Sequence, residues 1–156
     1  MSWEDQLSKA IRARVIADTG SGGLFETGGN NKLLGVFFEQ LPENQTFPAV
    51  MYEFSRQTTA DTAAKRSIEI DVRTHVFVSM SVGDQRLRDI VERLRGNWQA
   101  MGGTPSRGLD RWQPTGLANY DVTELGHQDS ISEHEWDAGV YHVIDEYLCM
   151  VTEKDS

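Results

Sequence analysis

The sequence contains a single cysteine, Cys149, among its 156 residues, so it forms no intramolecular disulfide. One lone cysteine is typical of proteins that fold in a reducing compartment. Long apolar runs are also missing: no stretch approaches the roughly 18 apolar residues of a membrane-spanning helix. The N-terminal segment MSWEDQLSKA has no apolar signal-peptide core. We therefore expect a soluble protein made in a cytoplasm, with one domain over residues 1–156 that builds its core without disulfides or metal.

Basic residues are scarce. The chain has 15 lysines and arginines against 24 aspartates and glutamates, a formal net charge of -9 at pH 7. Nucleic-acid binding proteins need a basic surface, because neutralising phosphates supplies much of their affinity. The arginines of residues 86–95 are interleaved with Asp84, Asp89 and Glu92, so they form no continuous basic stripe. The composition argues against sequence-specific DNA binding.

Catalytic and phosphate-binding motifs are missing too. The Gly-rich stretch TGSGGLFETGGNNK (residues 19–32) contains neither G-x-x-x-x-G-K-[ST] nor G-x-G-x-x-G, and the chain has no G-x-S-x-G. Cys149 lies within the apolar segment YLCMV, where burial favours an unreactive thiol. His75 and His142 lie in the middle of predicted strands, and we interpret each as a hydrogen-bonded residue of a sheet face. No catalytic site and no cofactor are predicted.

One group of potential metal ligands stands out in the segment HQDSISEHEWD. It comprises six residues within eleven positions: His127, Asp129, Glu133, His134, Glu135 and Asp137. Their side chains are all of types that bind divalent metals, but the spacing matches no H-E-x-x-H, C-x-x-C or EF-hand pattern. We interpret the segment as a solvated hairpin tip and predict no metal site. A metal-dependent enzyme that uses this loop remains a less favoured alternative.

Hydrophobic periodicity predicts two helices. In the first, Trp3, Leu7, Ile11 and Val15 recur every four residues and form one apolar stripe. Ser2 and Asp5 resemble a capping pair at its start. The second helix is predicted to begin near residue 81 or 84, and its apolar face consists of Leu87, Ile90, Val91, Leu94 and Trp98.

Five strands are predicted from the remaining apolar segments. They are LLGVFFEQ (33–40), FPAVMYEFSRQ (47–57), SIEIDVRTHVFVS (67–79), GLANYDVTELG (116–126) and GVYHVIDEYLCMVTE (139–153). The segment TTADTAAK (58–65) is predicted to be a hairpin tip between the second and third strands. The order α-β-β-β-α-β-β predicts an α+β fold: a mostly antiparallel sheet of about five strands with two helices packed on one face.

The third predicted strand has two contrasting faces, because side chains alternate along a strand. One parity carries Ile68, Ile70, Val72, Val76 and Val78 and predicts the buried face. The other parity carries Glu69, Asp71, Arg73 and His75 and ends with Phe77. This charged face requires a neighbour, which is water, a substrate or another copy of the protein.

The order of several segments forms a further pattern. The helix LSKAIRARVIAD leads to a P-x-V-x-Y strand, FPAVMYEFS, and then to the alternating strand SIEIDVRTHVFVS. The helix DQRLRDIVERLRGNW and two closing strands, LANYDVTELG and AGVYHVIDEYLCMV, follow. This order resembles the tail-terminator, or tail-completion, proteins of tailed bacteriophages. The resemblance covers most of the chain. The chain departs from the family pattern in its Gly-rich first loop and in the long segments 102–115 and 127–137.

This resemblance implies a structural role without turnover. Such proteins form a six-membered ring on the head-proximal end of the tail tube, stop tube polymerisation and present a surface to the head connector. The implied partners are other copies of the chain, the tail tube protein and a head-completion or connector protein. The implied location is the tail–neck junction of the virion, after assembly in the host cytoplasm. Another neck, head-closure or tail-tube-like subunit is the alternative role, since fold alone does not determine it.

A ring subunit buries two different patches against its neighbours. We predict that Glu69, Asp71, Arg73, His75 and Phe77 line the ring interface or the lumen. An acidic lumen would repel DNA, so that DNA passes through without sequence-specific binding. The loops predicted to contact partners contain six further residues: Gly22, Asn30, Thr59, Asp61, Asp129 and Glu133.

Overall fold

The computed structural model describes residues 2–26, 33–61, 66–97, 99–103 and 105–154. Within them the chain forms two helices, six strands and one short 3-10 helix. In chain order these are α1 (Trp3–Ile16), β1 (Val36–Phe38), β2 (Ala49–Asp61), β3 (Arg66–Ser79), α2 (Asp84–Arg95), β4 (Tyr120–Val122), β5 (Gly126–Glu135), the 3-10 helix (Trp136–Ala138) and β6 (Val140–Glu153). Within these ranges, no helix is both long and apolar enough to cross a membrane.

The six strands form one sheet with the order β1-β2-β3-β6-β4, and β5 also pairs with β6. All pairings are antiparallel except β1 with β2, which is parallel. β3 and β6 lie at the centre and pair from Ser67 opposite Thr152 to Ser79 opposite Val140. The other edge of β6 is shared, since β4 pairs with residues 151–153 and β5 pairs within residues 140–148. The predicted α+β fold is confirmed.

The hairpin tip predicted over residues 127–137 is wrong, because most of this segment is β5. Nine residues of β5 pair with β6, from Gly126 opposite Leu148 to Glu135 opposite Val140. The strand was missed because its residues from Gln128 to Glu135 are exposed and mostly polar, so no apolar alternation marks it. The strand predicted over residues 116–126 is correspondingly reduced to Tyr120–Val122, since β5 occupies most of the available edge of β6.

Both helices pack on the same face of the sheet. Leu7, Ile11 and Val15 of α1 are buried as predicted, and Ser2 Oγ accepts the Asp5 N–H at 3.2 Å as the expected cap. The Tyr52 hydroxyl on β2 donates to the Ser8 carbonyl at 2.7 Å and joins α1 to the sheet.

The second helix begins at Asp84, one of the two predicted starts. It buries four of its five predicted apolar residues, Leu87, Ile90, Val91 and Leu94. The fifth, Trp98, lies outside the described residues. The predicted apolar parity of β3 is also confirmed: its five Ile and Val residues are at most 8% exposed and lie in one core with the two helices.

The segment that follows α2 packs against the end of this helix, and two glycines allow the close approach. After Gly96, the chain returns so that the Leu109 N–H donates to the carbonyls of Leu94 and Arg95, each at 3.0 Å. Gly108 lies against Gly96, and a Cβ atom added to Gly108 would be 2.5 Å from the Gly96 Cα. Both glycines have positive φ, +85° at Gly96 and +82° at Gly108. The segment before β4 is thereby fixed to the helix.

An ion pair joins the end of α1 to α2. Arg93 donates from Nε and Nη2 to the two carboxylate oxygens of Asp18, each at 2.7 Å, and the Leu24 N–H donates to the same carboxylate at 3.2 Å. Burial by itself raises the pKa of Asp18, but the hydrogen bonds from Arg93 and Leu24 outweigh it, and the net pKa is lowered. The ionised carboxylate therefore stabilises the folded protein.

The sign of this shift gives a pH-dependent prediction. A carboxyl group whose pKa is lowered by folding stabilises the protein above its unfolded pKa, about 3.9, and loses that contribution as the pH falls through the folded value. We expect Asp18→Asn to lower the free energy of unfolding by about 1–3 kcal/mol at pH 7. The deficit should shrink below about pH 4, in urea unfolding followed by tryptophan fluorescence. Asp84→Asn, whose exposed carboxylate pairs with Arg88, is the control. A stability deficit that is constant down to about pH 2 would contradict the stabilising role of the ionised Asp18 carboxylate.

Candidate functional site

The face of the sheet opposite the helices is the candidate functional site, and we call it the open face. Strand register places Glu69, Asp71, Arg73, His75 and Phe77 on it together. The same register brings β2 and β6 residues beside them, so that Glu53 and Glu146 flank Arg73 and His142 lies opposite Phe77. Half-buried apolar side chains are interspersed: Met51, Ile144, Leu148 and Met150.

The charged residues of the open face are not uniformly exposed. Asp71 is 8% exposed, whereas the Arg73 side chain is 40% exposed and its Nε lies 3.1 Å from Glu146 Oε1 across the strand pair. The predicted interface residues thus form a surface on which charged and apolar groups are mixed and some of the charges are already paired or buried.

Aromatic and histidine rings stack along one end of the open face. The Phe77 ring lies 4.2 Å from that of His142 at an angle of 20°, and on its other side it contacts Phe47 at 5.7 Å. The His75 ring stacks on His142 at 5.1 Å. Phe47 and His142 were not predicted as members of this site, because their contacts depend on strand register, which the sequence alone does not determine.

The two histidines belong to one hydrogen-bonded chain. His75 Nε2 lies 3.0 Å from Glu53 Oε1, and His75 Nδ1 lies 2.9 Å from His142 Nε2. The carboxylate only accepts, so the hydrogen of an uncharged His75 is on Nε2. His75 Nδ1 then accepts the Nε2–H of His142. With both rings uncharged, this leaves a lone pair on His142 Nδ1.

This lone pair faces two glutamates of β5. Glu133 lies directly opposite His142 in the β5–β6 pairing, and its Oε2 is 3.5 Å from His142 Nδ1. Glu135 follows two residues later on the same face, and ligand atoms of all three side chains lie within 4.8 Å of one another. His142 is 7% exposed, and its Nδ1 has no hydrogen-bond partner in the described part of the chain. Burial lowers the pKa of His142, and a positive charge on the neighbouring His75 would lower it further.

The interpretation of the two histidines is therefore half correct. His75 has partners on both ring nitrogens, as expected for a satisfied sheet-face residue. His142 does not, and its second nitrogen points towards acidic side chains. The prediction for Cys149 is confirmed: the thiol is 3% exposed, and burial, with a smaller contribution from Asp71, raises its pKa to about 12.

The potential ligands of the HQDSISEHEWD segment whose side chains the structure describes do not come together as a group, and the Asp137 side chain lies outside the described ones. His127 lies on the helix side, 3.4 Å from Asp145, and His134 stacks on Trp136 and contacts the edge of Tyr141. Among the described side chains of this segment, only those of Glu133 and Glu135 join a further ligand type, His142. That cluster combines two segments of the sequence, so spacing within one segment could not have found it.

Four of the predicted partner-contacting loop residues lie in strands. Thr59 and Asp61 belong to β2, and Asp129 and Glu133 belong to β5. Backbone pairing continues to Asp61 opposite Arg66, so the predicted tip at 58–65 is shorter than expected. Gly22 lies in a turn with φ +74°, and Asn30 lies outside the described residues. The contact roles of all six remain predictions.

Comparison with solved structures gives a match over nearly the whole chain. A chain from the virion of a native gene transfer agent (GTA) particle superposes with a TM-score of 0.64, covering 95% of both chains at 14% sequence identity. The two folds are alike. At 14% identity this likeness shows a shared fold. No family profile and no curated protein matches the sequence.

Proposed function

We propose that this protein is a structural component of a phage-like virion, and that it forms a ring on the head-proximal end of a tail tube. The observation that carries the proposal is the fold shared with a chain of the gene transfer agent virion over 95% of both chains. The order of segments that resembles the tail-terminator family agrees with it. In this role the ring stops tube polymerisation and offers a surface to the head connector, without turnover.

The open face supports self-association. It combines half-buried apolar groups with charges that already have partners within the subunit, such as Arg73 with Glu146. A ring buries unlike patches of each subunit against its two neighbours, and in this role the open face forms one of these patches or lines the lumen. The net charge of -9 suits a lumen that DNA crosses without binding.

The ring is tested by measuring mass against concentration by light scattering, with negative-stain images of the largest species. We expect a closed ring, a hexamer with a central hole, at high concentration or on purified tail tubes. Capture of the tail tube and the connector would support the terminator position. Capture of the connector alone would assign the protein to the neck or head closure instead. A compact dimer at all concentrations would contradict the ring.

The role of the open face has a sharper test in Glu69→Lys. Asp71 is less suitable for charge reversal than the sequence suggested, because it is 8% exposed and a lysine there would disturb the fold. We expect Glu69→Lys to weaken ring formation at least about tenfold while the monomer keeps its melting temperature, since like or unpaired charges at an interface cost more than about 1 kcal/mol. The matched control is Glu92→Lys on the exposed side of α2. Equal assembly of both variants would exclude the open face from the ring contact.

A further inference from the structure

We propose that Glu133, Glu135 and His142 bind a divalent transition-metal ion of the zinc type on the open face. The three side chains converge because β5 and β6 pair in register. Glu133 lies opposite His142, and Glu135 is two residues further along the same face. One imidazole nitrogen and two carboxylates are a ligand set that zinc-type ions accept.

The buried imidazole distinguishes this cluster from an ordinary acidic surface. His142 is 7% exposed, and its Nδ1 has no hydrogen-bond partner in the described ranges. The hydrogen-bond chain through His75 to Glu53 leaves the Nδ1 lone pair directed at the Glu133 carboxylate, 3.5 Å away. A lone pair facing a carboxylate is unfavourable unless a proton or a metal cation lies between them.

The surroundings of His142 resemble those of metal-binding histidines in general. Such histidines usually donate their second ring N–H to another group, which fixes the tautomer and the ring orientation. Here His142 Nε2 makes that bond to His75, and His75 in turn bonds the Glu53 carboxylate. Stacking of Phe77 on His142 at 4.2 Å further holds the ring.

Small side-chain movements bring the three ligand atoms to the separations that a zinc site needs. The three ligand atoms lie within 4.8 Å of one another, whereas tetrahedral zinc with bonds of about 2.0 Å needs separations of about 3.3 Å. The glutamates supply this movement, since both are exposed and the Glu133 side chain is 51% exposed. Three protein ligands leave one position for water or an incoming group. Mg²⁺ and Ca²⁺ fit less well, because they prefer oxygen ligands alone.

The test is a calorimetric titration of tag-free, chelator-stripped full-length protein with ZnCl₂, repeated with MgCl₂. We expect one Zn²⁺ per chain, binding at least tenfold tighter than Mg²⁺, and a rise in Tm of about 5 °C at a hundredfold excess over Kd. Glu133→Gln/Glu135→Gln should weaken Zn²⁺ binding about a hundredfold or more, since it removes two of three ligands. The double variant replaces exposed groups with similar shapes, so we expect it to fold.

Two matched controls accompany this experiment. Asp121→Asn/Glu153→Gln removes two exposed carboxylates from neighbouring strands, and His134→Gln removes an exposed histidine; both should bind Zn²⁺ as the wild type does. In imidazole NMR spectra of the four histidines, Zn²⁺ should shift the Nδ1 signal of His142 most. Absence of binding at about 100 μM Zn²⁺, or unchanged binding in Glu133→Gln/Glu135→Gln, would overturn the proposal.

Discussion

Arg95→Ala is expected to lower the free energy of unfolding by about 3 kcal/mol, because it leaves a buried carboxylate without its cation. Asp145 is 2% exposed in the middle of β6. Arg95 donates to it from Nε at 3.2 Å and from Nη2 at 3.0 Å, and thereby fixes the last turn of α2 to the sheet. Ser130 also donates to Asp145 and His127 lies 3.4 Å away, so β5 joins the same network.

The expected loss for Arg95→Ala is at the lower end of the range for broken buried ion pairs, because Asp145 keeps other partners. Ser130 and His127 continue to stabilise the Asp145 carboxylate after Arg95 is removed. Arg88→Ala is the matched control on the same helix, since its pair with Asp84 is exposed on both sides, and it should change stability by less than about 0.5 kcal/mol. Chemical denaturation of both variants gives the comparison. A loss below about 1 kcal/mol for Arg95→Ala would mean that the β5 partners suffice.

Gly108→Ala is expected to destabilise the protein by a similar amount, about 3 kcal/mol, for a steric reason. A left-handed backbone costs a residue with a Cβ about 1–2 kcal/mol, and Gly108 has φ +82°. The added Cβ would also lie 2.5 Å from the Gly96 Cα and 2.6 Å from the Arg95 carbonyl oxygen. These are backbone atoms, so the two segments must separate, at a further cost of about 1–3 kcal/mol.

Gly116→Ala separates the two contributions. Gly116 has nearly the same φ, +80°, but a Cβ added there would have no atom of the described residues within 4 Å beyond its own chain neighbours. We expect only the backbone cost at this position, about 1–2 kcal/mol. Thermal and urea unfolding of the pair measures the difference. Equal destabilisation would show that the approach of Gly108 to Gly96 relaxes without cost.

Sequence patterns predicted the helices and strands that bury one side, because the spacing of their apolar residues reveals the buried side. The stripe of α1, the apolar face of α2 and the alternation along β3 each place one side of an element in the core. β5 has no such side, since its side chains are exposed on both faces from Gln128 onward. Such a strand forms because its backbone pairs with β6, and its own sequence has no apolar alternation that would predict it.

The candidate site also has a part that the sequence predicted and a part that it did not. The residues of β3 that share the open face were predicted, because one strand determines their parity. The contacts of His142 with Phe77, His75 and Glu133 depend on the register of three strands, and pairing across long sequence separations leaves no local pattern. The Arg95–Asp145 pair was missed for the same reason, since 50 positions separate its members.

The position of β5 at the border of the sheet has a consequence for solubility. A strand of this length at an edge is a template on which other extended chains aggregate, unless charged side chains discourage the approach. β5 carries Asp129, Glu133 and Glu135, and its one large aliphatic residue, Ile131, is 41% exposed. The acidic residues repel a second copy of the same strand, so they oppose edge-to-edge pairing of two β5 strands.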